Sequence, residues 1–258
     1  LVLALLDEHD EKAARAFAKI LKSQPAPAGF VVRSMLPPEA DAEFDLYRRR
    51  IGSEMTELFQ PPVPEAAESF QERFDAGYAL LRDALPELAG EIRSLVREVV
   101  LASSPDGAPL QFDGASAYQL WGLLFLNPKF HPTPVAVAEV LAHESAHSLL
   151  FGFTFDEPLV FNDDEERYTS PLRPDPRPMD GIYHATYVSA RMHWAMTRLA
   201  ASPLADEEMR AAALKAAAAD MENFEKGHEI VARHGRLSAT GEALMREALA
   251  YMSAQPMV

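Results

Sequence analysis

Along most of the chain, apolar positions recur at the three- and four-residue spacing of an amphipathic helix. Residues 2–22 carry Leu6, Ala13, Phe17, Ile20 and Leu21 among charges, and Gln24 to Gly29 then read as a loop. A second helical stretch covers about residues 39–59 and is closed by Gln60-Pro61-Pro62-Val63-Pro64. Two more follow, near 65–84 and 86–102, split by Pro86, with turn chemistry at Ser103-Ser104-Pro105-Asp106-Gly107. Gln111 to Asn127 differs in kind: it is aromatic and apolar, with Gly114 and Gly122 inside it, and predicts one or two short strands. No other β structure is expected. Thr133 and Pro134 then open a helix as cap and first residue, Val135 to Phe151 contain no breaker, and Gly152 is placed to end it. An acidic loop (154–170), a stiff proline-rich segment (Pro171 to Pro178), a helix from about Asp180 to Ala200 and two alanine-rich helices (203–234, 239–252) complete the pattern. The expectation is one mainly α domain with a small β element: N-terminal helices over 1–110, a core over 111–200, and C-terminal helices over 201–258.

The 258 residues are 48% hydrophobic, enough to build a large core. A formal net charge of −15 argues against nucleic acid and anionic membranes as partners and suits a basic peptide. The chain has no cysteine, which removes disulfides, thiolate metal sites and thiol nucleophiles, and fits a cytoplasmic protein. No apolar run reaches the length of a membrane span. Leu1 to Leu6 is too short for a signal peptide and lacks a basic flank; with no initiator methionine, the chain reads as a piece of a longer polypeptide.

The candidate chemistry lies in His143-Glu144-Ser145-Ala146-His147, an H-E-x-x-H motif. Histidines four apart on a helix stack on one face, so both imidazoles reach one metal ion without backbone distortion. Open metal sites usually take a third protein ligand. Leu150 stands where H-E-x-x-H-x-x-G-x-x-H peptidases need glycine, which excludes that extension. Glu165, Glu166, His184 and His193 are the downstream candidates, and His184, early on the next helix, is preferred. Glu165 and Glu166 sit in a loop-like acidic run, and His193 falls near the far end of its helix. His131 is a candidate for the surroundings of the metal.

Arg173 and Arg177 are framed by prolines just before His184. A guanidinium is the natural receptor for a planar carboxylate, through two parallel charged hydrogen bonds. The pair therefore reads either as an anion site or as neutralisation of the acidic loop.

Together, His143 to His147, Tyr168-Thr169-Ser170-Pro171-Leu172-Arg173-Pro174-Asp175-Pro176-Arg177-Pro178 and Gly181-Ile182-Tyr183-His184 resemble the H-E-x-x-H proteins encoded beside, or fused to, radical SAM enzymes in ribosomal peptide natural product pathways. Gly114-Ala115-Ser116 and Trp121-Gly122-Leu123 add to the likeness, which spans roughly residues 112–195. Leu172 departs from it where tryptophan is expected. The resemblance implies an iron(II)- and 2-oxoglutarate-dependent β-hydroxylase of a precursor peptide, using dioxygen, on a fold other than the double-stranded β-helix. It implies His143, His147 and His184 as metal ligands and Glu144 as a catalytic or orienting group. It places 2-oxoglutarate on Arg177, Arg173, Ser170 and Tyr168, and implies a radical SAM domain or enzyme as partner. The alternative is a zinc metallopeptidase with Glu144 as general base.

Overall fold

The computed structural model describes residues 29, 31–37, 40, 42–52, 57–105, 107–108, 111–155 and 157–255. The helix expected over 2–22 lies outside them, as do Asp156 and all of the expected 24–29 loop except Gly29, which forms a bend. Residues from Val31 onward form a compact unit. Its elements are β1 (Val31–Ser34), α1 (Ala42–Ile51), α2 (Pro64–Ala84), α3 (Pro86–Leu95), β2 (Glu98–Leu101), β3 (Gly114–Ser116), β4 (Leu123–Leu126), α4 (Pro134–Phe153), α5 (Met179–Ala201), α6 (Glu207–His234) and α7 (Ala239–Ser253). The fold is mainly α with a small β element.

The strands form one four-stranded sheet in the order β1-β2-β4-β3. β1, β2 and β4 are mutually parallel, and β3 runs antiparallel to β4 at one edge. Two of these strands depart from the sequence expectation. The helix expected over 86–102 stops at Leu95, and Glu98-Val99-Val100-Leu101 is a strand. A β-branched pair gains more between two parallel neighbours, where Val99, Val100 and Leu101 are buried, than at the end of a helix. Likewise β1 adds a second unexpected strand, and the helix expected over 39–59 ends at Ile51. Gly52, at φ 83°, turns the chain out of α1 in a conformation a side chain resists.

One face of the sheet closes over Phe44, Tyr47, Phe59 and Phe112, with Phe59 and Phe125 stacked at 4.4 Å. α2 and α3 pack against α4, which in turn packs against α5, with α6 beyond. A second core joins the end of α4 to α5, α6 and α7 through Leu150, Leu159, Tyr183, Val188 and Phe224. The Tyr183 hydroxyl donates to the Gly241 carbonyl at 2.9 Å and ties α7 to α5. The helix carrying the histidines is thus held between sheet and bundle, where its backbone has little room to move. No helix among the described residues is long and apolar enough to cross a membrane.

Candidate metal centre

The sequence of α4 accounts for its position. Thr133 Oγ1 accepts from the Ala136 N–H at 3.2 Å, satisfying one of the donors that a helix start leaves free, and Pro134 follows with its φ preset. Val135, Val137, Ala138, Leu141, Ala142, Ala146 and Leu150 bury it on most sides. α4 does not end at Gly152 as expected; it runs on to Phe153 with Thr154 as its cap. Gly152 instead admits the Trp121 ring, which a Cβ there would meet at 3.4 Å.

His143 and His147 project from α4, and His184 from α5, as immediate neighbours. His143 Nε2 lies 3.2 Å from His147 Nε2, and His147 Nδ1 lies 2.9 Å from His184 Nδ1. The His147 and His184 rings are nearly parallel, with centroids 5.2 Å apart. Burial holds all three imidazoles below the ordinary histidine pKa, and for His147 the two neighbouring histidines add to the effect. Neutral imidazole is the form that ligates metal.

Two nitrogens bound to one ion at ~2.1 Å each stand ~3.0–3.4 Å apart for octahedral or tetrahedral geometry. The separation between His143 and His147 fits a shared ion. His184 faces the opposite nitrogen of His147. Accordingly, no three His, Asp or Glu side chains among the described residues already surround one point.

Around the histidines the structure supplies groups that the motif alone did not reveal. Met192 Sδ sits 3.3 Å from His143 Nδ1, and Asp180 Oδ1 is 3.9 Å from His184 Nε2. Asp180 has a signal in the sequence, standing four residues before His184 on the same face of α5, whereas Met192 lies well round the helix from both and has none. Glu144 is buried, with Oε1 3.9 Å from His143 Nε2 and Oε2 without a partner. Burial pushes its carboxyl up to about 8; the nearby Ser116 hydroxyl opposes that rise, and Asp113 adds to it. A Cβ on Gly114 would lie 2.5 Å from Glu144 Oε1, so β3 presses directly on this side chain. His131 ties down the same corner, its Nε2 donating to the Asp113 carbonyl at 3.0 Å.

The proline-framed arginines also come together. Arg173 Nε and Arg177 Nη1 hold the two oxygens of Asp175 at 3.1 and 3.2 Å. Both guanidinium groups stay more than one third exposed, and two cations on one carboxylate leave an excess of one positive charge. Tyr168 exchanges two backbone hydrogen bonds of 2.8 Å with Arg177, which sets the arginine's position. Its hydroxyl is turned away, donating to Glu166 beside Asn162. Ser170 is buried, with Oγ 3.4 Å from the Leu172 N–H. Glu165 is exposed, and Glu166 is engaged by Tyr168 and Arg236, so neither stands with the histidines. His193 is buried against Tyr251, its Nδ1 3.0 Å from the hydroxyl. Set against known proteins, the chain matches neither a family profile nor a curated sequence.

Proposed function

We propose that the chain is an iron(II)- and 2-oxoglutarate-dependent hydroxylase of a ribosomally made precursor peptide, acting in the cytoplasm alongside a radical SAM domain or enzyme. The observation that carries this reading is the contact of three neutral imidazoles, from α4 and α5, beside a buried carboxyl. The family resemblance supplies the choice of iron and cosubstrate.

On this reading His143, His147 and His184 hold the ion, with His184 joining the other two by rotation of an imidazole ring. When bound, iron(II) with 2-oxoglutarate supplies insertion of one oxygen atom of dioxygen into a carbon–hydrogen bond, with succinate and carbon dioxide released. The chain's own residues prepare for that chemistry. Burial keeps the imidazoles deprotonated and available. Asp180 sets a carboxylate 3.9 Å from the outer nitrogen of His184, a charge that favours a proton on that nitrogen and leaves the other for the ion. Glu144, pressed by Gly114, is positioned to steer a ligand or water from beside His143. Arg173 and Arg177, carrying one positive charge beyond what Asp175 neutralises, receive the remote carboxylate of the dicarboxylate.

Specific geometry also favours a second reading. A Glu144 with one carboxyl oxygen unpartnered beside a histidine pair is what a zinc peptidase needs in a general base. One experiment separates the two. The full chain is incubated with the precursor peptide, iron(II), 2-oxoglutarate and dioxygen, and the peptide is weighed by mass spectrometry. Gain of one oxygen atom with succinate formation is expected. Cleavage with zinc and no 2-oxoglutarate selects the peptidase. In the same assay Arg177→Ala is expected to weaken 2-oxoglutarate binding by roughly 30-fold or more, and lysine to restore little of it.

A further inference from the structure

A run of aromatic rings leads outward from His184. Phe151, on the last turn of α4, has its ring 5.8 Å from that of His184, and Tyr118 meets Phe151 edge-on at 5.8 Å. Trp121 follows, seated over Gly152. Tyr118 and Trp121 remain 48% and 47% exposed. Both rings are anchored on one side and open on the other, the form of an aromatic contact surface rather than of scattered exposed residues.

A separate observation concerns the backbone that runs into this wall. β3 is an edge strand. The Asn127 N–H donates to the Asp113 carbonyl at 2.8 Å, so residues 113 and 127 form a hydrogen-bonded pair. Antiparallel alternation then turns Ala115 toward β4, and the main-chain groups of Gly114 and Ser116 away from it. The Gly114 N–H is taken by the Asp113 carboxylate at 2.8 Å. The Gly114 carbonyl and both backbone groups of Ser116 have no partner among the described residues. Only an extended backbone satisfies such a row, and the short Gly-Ala-Ser run puts no large side chain in its way.

We propose that this edge and the Tyr118–Trp121–Phe151 wall together receive an extended segment of the peptide substrate bearing an aromatic or large aliphatic side chain. Its backbone pairs with Gly114 and Ser116, and the side chain rests on Tyr118 and Trp121. Because β3 lies on Glu144, and Phe151 on His184, a segment held there passes alongside the candidate metal centre. The proposal rests on the peptide-modifying reading above, and names the part of the peptide that is recognised.

The test uses the full chain and linear peptides enriched on it from a random phage-displayed library, then synthesised with a fluorescent label. Ser116→Pro removes one outward donor and leaves the ladder to β4 unbroken, as proline does on an edge strand. Trp121→Ala removes one of the two exposed rings of the wall. Each is expected to weaken binding by about tenfold or more, and Trp121→Ala to lose the preference for an aromatic peptide residue. Methylating alternate peptide amides is expected to abolish binding in one parity and spare it in the other. Enrichment of no peptide, unchanged affinity in both variants, or indifference to methylation parity overturns the proposal. Trp121→Ala keeps the test decisive should Ser116→Pro fail to fold. Oxygen addition is scored separately. Peptides that bind in this pattern but gain no oxygen preserve the docking surface and sink the hydroxylase reading. Hydroxylation by both variants with unchanged KM does the reverse.

Discussion

Replacing Gly114 with alanine tests the contact on which the candidate centre rests. Gly114 does not have the positive φ of Gly52, Gly107 and Gly122, so its backbone accepts an alanine. By conformation alone the change is favourable, by about 0.4–1 kcal/mol, because it restricts the unfolded chain. Contact reverses that sign. The new Cβ would stand 2.5 Å from Glu144 Oε1 and 3.1 Å from both Cδ and Cγ of the same side chain. Glu144 is only 3% exposed, and α4 is buried on most sides, so neither can retreat freely. Overpacking of this kind costs about 1–3 kcal/mol. The net expectation is a loss of up to about 2.5 kcal/mol for Gly114→Ala in urea unfolding. With Glu144→Ala already present the obstructing atoms are gone, and Gly114→Ala is expected to be neutral or stabilising by up to about 1 kcal/mol. The double-mutant cycle therefore carries a coupling energy of about 1–3 kcal/mol. Additive effects, or a stabilising Gly114→Ala in the otherwise unchanged chain, would refute the close approach of β3 to Glu144.

Asp220 is buried with Oδ2 unpartnered, and burial, with help from Glu139, raises its carboxyl to about 9 from an ordinary 3.8. A raised folded pKa means stability that is whole below the unfolded value and is lost as pH rises toward the folded one. Asp220→Asn is accordingly expected to stabilise little near pH 4 and by up to about 5 kcal/mol near pH 8; a gain independent of pH in thermal melts would count against it. Tyr183→Phe removes the donor to the Gly241 carbonyl from a fully buried site, and is expected to cost about 1–2 kcal/mol in urea unfolding. An unchanged midpoint would show that α7 is not held there. Gly227→Ala would drive a Cβ into Thr186 Oγ1 between α5 and α6, with an expected loss of about 1–3 kcal/mol that Thr186→Ala relieves. Equal losses in both backgrounds would refute that contact.

How far the chain can be read without its fold differs from element to element. α4 and the His143–Glu144–His147 strip were legible because a cap, a proline and a fixed spacing are local signals, set by residues within one or two turns. The same holds for α5, α6 and α7, whose periodicity outruns any competing pattern. Legibility failed where local preference is weak and distant partners decide. Glu98-Val99-Val100-Leu101 suits helix or strand, and β1 and β4 on either side make it a strand. Gly152 looked like a helix stop, but Trp121, from a turn far back in the chain, gives it a packing role inside α4. Proline framing singled out Arg173 and Arg177, yet only the fold shows both guanidinium groups on Asp175.

The sequence by itself determined most of the helical framework, the placing of His143 and His147 on one face of a helix, and a cationic segment ahead of His184. Tertiary structure alone decided that His184 meets His147, that Met192 stands against His143, and that Gly114 presses on Glu144. The physical reason is range. Helix signals act over a few residues, whereas these contacts join groups tens of residues apart, brought together when α4 is packed between the sheet and α5.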